Sequence, residues 1–299
     1  MDYHIPALLD ESIRGLNIKS DGIYVDVTFG GGGHSREILK HLTSGKLIAF
    51  DVDEDAAANV INDSRFIFLN QNFRFLRNNL KYIGITSVDG IIADLGVSFH
   101  QFDEPSRGFS FRENLELDMR MSKGINKKAS TLLATLSEEE LAEIFSSYGE
   151  LPGASKIAKA VVDARSHAPV KTTDDLINAV EHLINPKYRN KFLAKLFQSL
   201  RIAVNDELGS LREMLEQSEQ VLKKGGRLVV ITYHSLEDRL VKNFMRAGNF
   251  TGEIRKDFFG RPETIFKPVN RKVIIPDREE MERNSRARSA RLRIAEKIN

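Results

Sequence analysis

Cysteine is absent from all 299 residues. Disulfides, thiolate zinc sites, iron–sulfur clusters and cysteine nucleophiles are therefore excluded. Long apolar runs are missing too. No stretch approaches the roughly eighteen residues a membrane helix needs, and Asp2 and Asp10 flank the first short apolar segment, which is wrong for a signal peptide. Nor is there an excess of one charge: 44 Lys and Arg face 42 Asp and Glu, a net charge of +2. Any case for nucleic acid must then rest on clustering. The chain shows no internal repeat, no low-complexity tract and no His-x-x-x-His spacing, so no catalytic metal is expected. What remains, at 41% hydrophobic and 29% charged residues, reads as a globular, cytoplasmic protein of about two domains.

Several short apolar runs end at Gly or Asp and alternate with helical patterns: Ile23–Val27, Lys46–Phe50, Phe66–Leu69, Val88–Ala93 and Arg227–Thr232. Strands spaced by helices predict an α/β fold with a parallel sheet. Between 104 and 190 no convincing strand appears. Ser137 with Glu140 makes a capping box, a helix is expected over Ile157–Arg165, and Thr173 is placed to cap the next one. The chain is therefore divided into 1–103, a first part of the α/β core; 104–190, an inserted helical subdomain; and 191–299, the second part of the core. A long helix is expected to run to about Leu222. Late strands are expected around Ile265–Lys267, Arg271–Ile275 and Leu292–Ala295.

The most informative stretch is Val25-Asp26-Val27-Thr28-Phe29-Gly30-Gly31-Gly32-Gly33-His34-Ser35, a strand leading through four glycines into a helix. Glycines at that junction let the backbone turn sharply and approach a nucleotide-like ligand. On spacing alone a dinucleotide stays open. The carboxylate of Asp26 argues instead for a ligand carrying an ammonium and a sulfonium, which S-adenosylmethionine has. Asp51, twenty-one residues past Gly30, is placed to accept from ribose hydroxyls, with Asp53 as its local rival. Asp26, Asp51 and Asp94 all fall near carboxyl ends of strands, where open α/β sheets bind ligands. Thr232–Arg239, polar and just past the fifth strand, suggests a further wall of the cleft, although a helix start explains Ser235 and Asp238 equally well.

Phe29–Ser35, Asp94–Ser98 with Gln101, Arg107–Phe111, Leu117–Met121, Phe197–Leu208, His234–Arg239 and Asn284–Arg293 together resemble the bacterial ribosomal RNA small-subunit methyltransferase H family. The likeness runs from His4 to nearly the last residue. It implies a class I S-adenosylmethionine-dependent methyltransferase, Rossmann-like, with an inserted helical subdomain. It also implies methylation of the exocyclic amine of a cytosine in the decoding region of small-subunit ribosomal RNA. Family donor contacts fall on Gly32, Gly33, His34, Asp51, Phe73, Asp94 and Gln101. Phe99-His100 stand where the family usually has Ser-Pro, and Phe102 where it usually has Leu.

The missing cysteine bears on the chemistry. Methylation at cytosine C5 needs a thiolate adding to the ring, which leaves the amine or the ribose hydroxyl. Asp94, with nearby carbonyls, is the first candidate to accept the amine's hydrogens; Ser98 and His234 follow. For RNA contact, Arg283, Arg286, Arg288, Arg291 and Arg293 form a run without an acid, and Arg255, Lys256 and Arg261 surround Phe258 and Phe259. Arg107 and Arg120, in segments alternating with apolar residues, fit either an RNA wall or packing. The expected partner is the small ribosomal subunit. A dehydrogenase, a non-catalytic RNA binder, and a methyltransferase of protein or DNA are the competing readings.

Overall fold

The computed structural model describes residues 6–97, 104, 107–270 and 272–299. It forms two compact units, Met1–Gly96 with Leu208–Asn299, and Val97–Glu207. The expected helical insert, 104–190, is thus extended at both ends. On the far side the reason is the helix Arg189–Asn205, whose Leu193, Leu196, Phe197 and Leu200 are buried in the helical unit's own core.

In the first unit, β1 (Ile23–Asp26), β2 (Lys46–Phe50), β3 (Phe66–Leu69), β4 (Val88–Asp94) and β5 (Leu222–Thr232) pair in parallel. Two strands, β6 (Phe266–Pro268) and β7 (Arg291–Lys297), complete a sheet of order β3-β2-β1-β4-β5-β7-β6, with β7 antiparallel to both neighbours. The stretch expected as a strand at Arg271–Ile275 is reduced to one bridge, Ile274 to Leu292. The strands read as unbroken apolar runs because both faces are covered. Val25, Ile48, Ile91 and Val230 face one layer; Tyr24, Leu47, Ile92 and Val229, their alternates, face the other. The first layer includes α3 (Leu76–Tyr82), α9 (Glu207–Val221) and α10 (Ser235–Ala247). The second includes α1 (Leu9–Leu16) and α2 (Gly33–His41). Each fully buried Leu, Ile or Phe stabilises the sheet by roughly 1.5–3 kcal/mol.

Chain order reverses between β1 and β4, which are neighbours although 61 residues lie between the end of one and the start of the other. A crevice at the carboxyl ends of such a pair is where open α/β sheets bind ligands. Asp26 ends β1 and Asp94 ends β4.

The second unit consists of α4 (Ala129–Thr135), α5 (Glu138–Ser147), α6 (Ala154–His167), α7 (Thr173–Val180) and α8 (Arg189–Asn205), with short 3-10 turns. Ser137 caps α5 through the expected box, accepting from the Glu140 amide while Glu140 accepts from the Ser137 amide. The cap of α7 is Thr172, one residue before the expected Thr173, which is buried at the first helical position. The single long helix expected up to Leu222 is two helices. Asp206 adopts left-handed backbone at φ 47°, and Asn205 turns its amide onto the Met119 carbonyl (2.7 Å) and accepts from the Met121 amide (2.7 Å). Among the described residues, no helix is long and apolar enough to cross a membrane.

Candidate functional site

The glycine loop begins as an extension of β1: the Val27 amide donates to Ile92, and the Phe29 amide to Phe50. The chain then turns through Gly30 and Gly32 to start α2 at Gly33. Gly32 caps the helix in left-handed backbone, φ 76°, where a Cβ would also meet the Phe29 ring at 2.9 Å. Gly33 is required for a different reason. A Cβ there would lie 2.2 Å from Pro6 Cγ.

Two carboxylates and one backbone amide hold this loop. Asp51 accepts from the Gly30 amide (2.6 Å) and the Asp53 amide (2.8 Å). Asp26, only 2% exposed, accepts from the Ser35 hydroxyl (2.7 Å) and the Thr28 amide (3.1 Å). Thr28 in turn accepts from the Asp94 amide at 2.6 Å, so the ends of β1 and β4 are tied through one hydroxyl. Asp26 is therefore spent on the loop and the helix start, not presented to a ligand as its sequence position suggests. Asp53 resolves as a cap, accepting from the Asp55 amide. Two residues without any obvious sequence signal complete the support: Asn59 donates to the Gly30 carbonyl at 3.0 Å, and Arg36 to the Gly31 carbonyl.

Asp94 is half-buried. One oxygen accepts from the Tyr233 hydroxyl at 2.8 Å and the other lies 3.9 Å from His34 Nδ1. Burial pushes its carboxyl up to about 7, and the charges of Asp26 and Glu237 push the same way against the Tyr233 hydrogen bond. Burial also raises Asp26 and Asp51 to about 6. His34, 5% exposed, goes the other way, to about 4, because burial penalises its cation. It is then neutral at physiological pH and cannot balance Asp94. Among the described residues no cation pairs with Asp26 or Asp51 either, and His34 Nε2 is buried without a hydrogen-bond partner. Concentrated negative charge and an orphaned polar nitrogen, beside a glycine loop, fit a positively charged nucleoside ligand. Phe73 begins a short 3-10 turn after β3, half-buried against the core; Asn72 caps it.

His234 caps α10, Nδ1 accepting from the Glu237 amide at 3.4 Å while Glu237 accepts from the Tyr233 and His234 amides. Its other nitrogen, Nε2, lies buried 3.2 Å from Glu237 without a hydrogen bond, so only the Nδ1 side of the ring is spent on the cap. The residue sequence reasoning passed over is its neighbour, Tyr233. Ser98 and Gln101 lie outside the described residues.

The arginines separate into classes. Arg107 is buried in the helical unit and donates to the Arg120 carbonyl; Arg120 forks onto Asp118 at 2.6 and 2.9 Å. Both side chains are engaged within that unit, the arrangement the packing alternative describes. Arg293 forks onto Asp238 at 2.7 and 2.9 Å, with Arg291 at 3.6 Å from the same carboxylate. Arg283, Arg286 and Arg288 are exposed around the helix α11 (Arg278–Arg283) and the turn that follows it.

Compared with known proteins, residues 1–298 match the MraW methylase family. The ribosomal RNA small subunit methyltransferase H of Flavobacterium johnsoniae is 54% identical over 299 residues, covering 100% of this chain and 99% of that protein. Its counterpart in Bacteroides thetaiotaomicron is 54% identical over 298 residues, 99% and 98% of the two chains. Among solved structures, a putative methyltransferase from Streptococcus mutans in complex with SAH aligns over 99% of this chain and 100% of its own at 14% identity and a TM-score of 0.44, too distant to carry weight.

Proposed function

This chain belongs to the MraW methylase family, and from that membership we propose that it methylates the exocyclic amine of a cytosine in small-subunit ribosomal RNA, acting on the assembled subunit. It is an S-adenosylmethionine-dependent methyltransferase. When bound, that donor supplies a methyl group activated by a sulfonium. The single observation that carries the site is the pair of carboxylates without a balancing cation among the described residues, Asp51 and Asp94, at the ends of β2 and β4 beside Gly30–Gly33. Gly32, Gly33, His34, Asp51 and Phe73 are proposed to hold the donor, with Gln101, and Asp94 to stand between donor and acceptor.

A cytosine amine is a weak nucleophile because its lone pair is delocalised into the ring. An acceptor on its hydrogens favours the pyramidal form and then takes a proton. Asp94 suits that role, because its carboxyl, raised to about 7, is divided between acceptor and acid near neutral pH. Alignment by the rigid loop contributes the larger share, on the order of 7–11 kcal/mol in well-oriented systems. With no cysteine in the chain, addition at C5 has no nucleophile.

The test incubates purified protein and labelled donor with unmodified small subunits, naked ribosomal RNA and DNA, then identifies the product by nucleoside mass spectrometry. Label on a cytosine amine, in subunits above free RNA, is expected. Label on ribose, on C5 or on DNA overturns the reading. Asp94→Asn should lower turnover at least a hundredfold with donor binding retained within about tenfold; turnover within threefold of the parent removes Asp94 from the proton path.

A further inference from the structure

Beyond α10 the chain builds a small hairpin, and its tip is out of character with the rest of the surface. Lys256 bridges Pro262 in antiparallel pairing, the Asp257 amide donates to the Arg261 carbonyl (2.9 Å), and the Glu263 amide to the Arg255 carbonyl (2.9 Å). One carboxylate oxygen of Asp257 accepts from both the Phe259 and Arg261 amides, each at 2.8 Å, closing the loop from inside. The foot is equally fixed: Asn243 donates to the Phe250 carbonyl and Arg246 to the Gly252 carbonyl, both from α10, and Phe250 stacks on Phe244. On this built support Phe258 is 98% exposed and Phe259 79% exposed, their rings edge to face at 5.6 Å.

Single exposed apolar residues need no explanation. Two adjacent phenylalanines held outward by a hydrogen-bonded turn do, since hydration of both rings is unfavourable and the turn would close equally well around polar residues. The neighbours narrow the ligand. The tip from Arg255 to Pro262 carries three cations against one acid, and that acid, Asp257, is committed to the turn. Arg255, Lys256 and Arg261 are all exposed, and the Arg261 guanidinium lies 5.8 Å from the Phe259 ring centre. Aromatic faces beside cations match an unpaired nucleotide: the base stacks and its phosphate is met by a guanidinium or ammonium. A duplex, whose bases are already stacked, offers no face to such a tip.

We propose that the Arg255–Pro262 hairpin is a second RNA contact, apart from the methyl-transfer site, whose Phe258 and Phe259 stack on unpaired bases of the substrate while Arg255, Lys256 and Arg261 meet the adjoining phosphates. It rests on the ribosomal RNA reading in naming the substrate as the RNA bound, but the hairpin can be tested without turnover. The chain contains no tryptophan, so Phe258→Trp places a lone reporter at the tip.

Titration of that full-length variant with a short oligoadenylate should quench its fluorescence, weakening with added salt. In the same series Phe258→Ala/Phe259→Ala should bind unmodified small subunits at least tenfold more weakly, on the order of one lost stacked base, with donor affinity and thermal midpoint unchanged. No quenching by oligoadenylate, or unaltered subunit affinity in the double variant, overturns the proposal. A blue shift on anionic vesicles without quenching by RNA overturns it in favour of a membrane contact. If the Phe258→Trp variant is quenched and the parent binds subunits yet leaves no label on them, the methylation reading fails while the hairpin contact stands.

Discussion

Tyr233 and Asp94 show how the site depends on contacts that no local pattern announces. The hydroxyl donates to the carboxylate at 2.8 Å across 139 residues of chain. That bond favours the charged form of a group otherwise pushed toward neutrality by burial and by Asp26 and Glu237. Tyr233→Phe should therefore move the pH midpoint of methyl transfer upward from about 7, with His34 neutral throughout, so that lost activity is recovered at higher pH. A pH–rate profile checks this, and an unmoved midpoint would show that the hydroxyl only packs.

The raised carboxyls have a second consequence. Asp26, Asp51 and Asp94 hold their protons more tightly folded than unfolded, so their contribution to stability is present at low pH and lost as pH rises through about 6 to 7. His34, lowered to about 4, works oppositely: its contribution is complete above the ordinary histidine range and lost as pH falls toward 4. Between about pH 7 and 8 Asp94 is, of these four, the group still losing its proton. There the thermal midpoint of the donor-free protein should fall, and the stabilisation given by S-adenosylmethionine should widen. Calorimetric melts with and without donor measure both.

The central strands β1, β2 and β4 were legible because both faces are covered and they read as apolar runs; β2 and β3 fall on their expected limits. The α5 capping box was equally plain, being a local rule. What escaped was set by distance. The break at Asp206 is fixed by Asn205 gripping the backbone at Met119 and Met121, 86 and 84 residues away, while the apolar spacing runs on through it. Asn59 follows three alanines and acquires its role only by reaching the Gly30 carbonyl. Of the proposed donor site, Asp51, Asp94 and the glycines stood out by their place after strands; Thr28 and Tyr233 did not. Ser137→Ala should cost about 1 kcal/mol in the helical unit and leave donor affinity unchanged. Gly33→Ala should do the reverse, shifting the loop against Pro6 and weakening donor binding at least tenfold with little change in helix content. Urea melts and donor titration separate the two.

The basic run near the end of the chain illustrates why a charge count cannot be read as a surface. Arg293 and Arg291 converge on Asp238 and anchor β7 to α10, so Arg293→Ala should destabilise the first unit by about 1.5–3 kcal/mol without lowering the salt dependence of subunit binding. Arg283→Gln/Arg286→Gln/Arg288→Gln should do the opposite, flattening the log–log salt slope by about two with the melting point preserved. Filter binding across ionic strengths distinguishes them.

The order of the sheet also dictates when this protein can fold during synthesis. The strand β5 beside β4 is translated only after all of Val97–Glu207, and β7, inserted between β5 and β6, comes later still. A ribosome-bound nascent chain halted after Glu207 therefore holds four strands whose inner edge, at β4, is bare, while the intervening helices already possess every partner in their own core. That bare edge is a template for pairing with other chains. The nascent protein is most exposed to aggregation in this interval, and chaperone occupancy should peak there and vanish once Arg291–Lys297 has emerged.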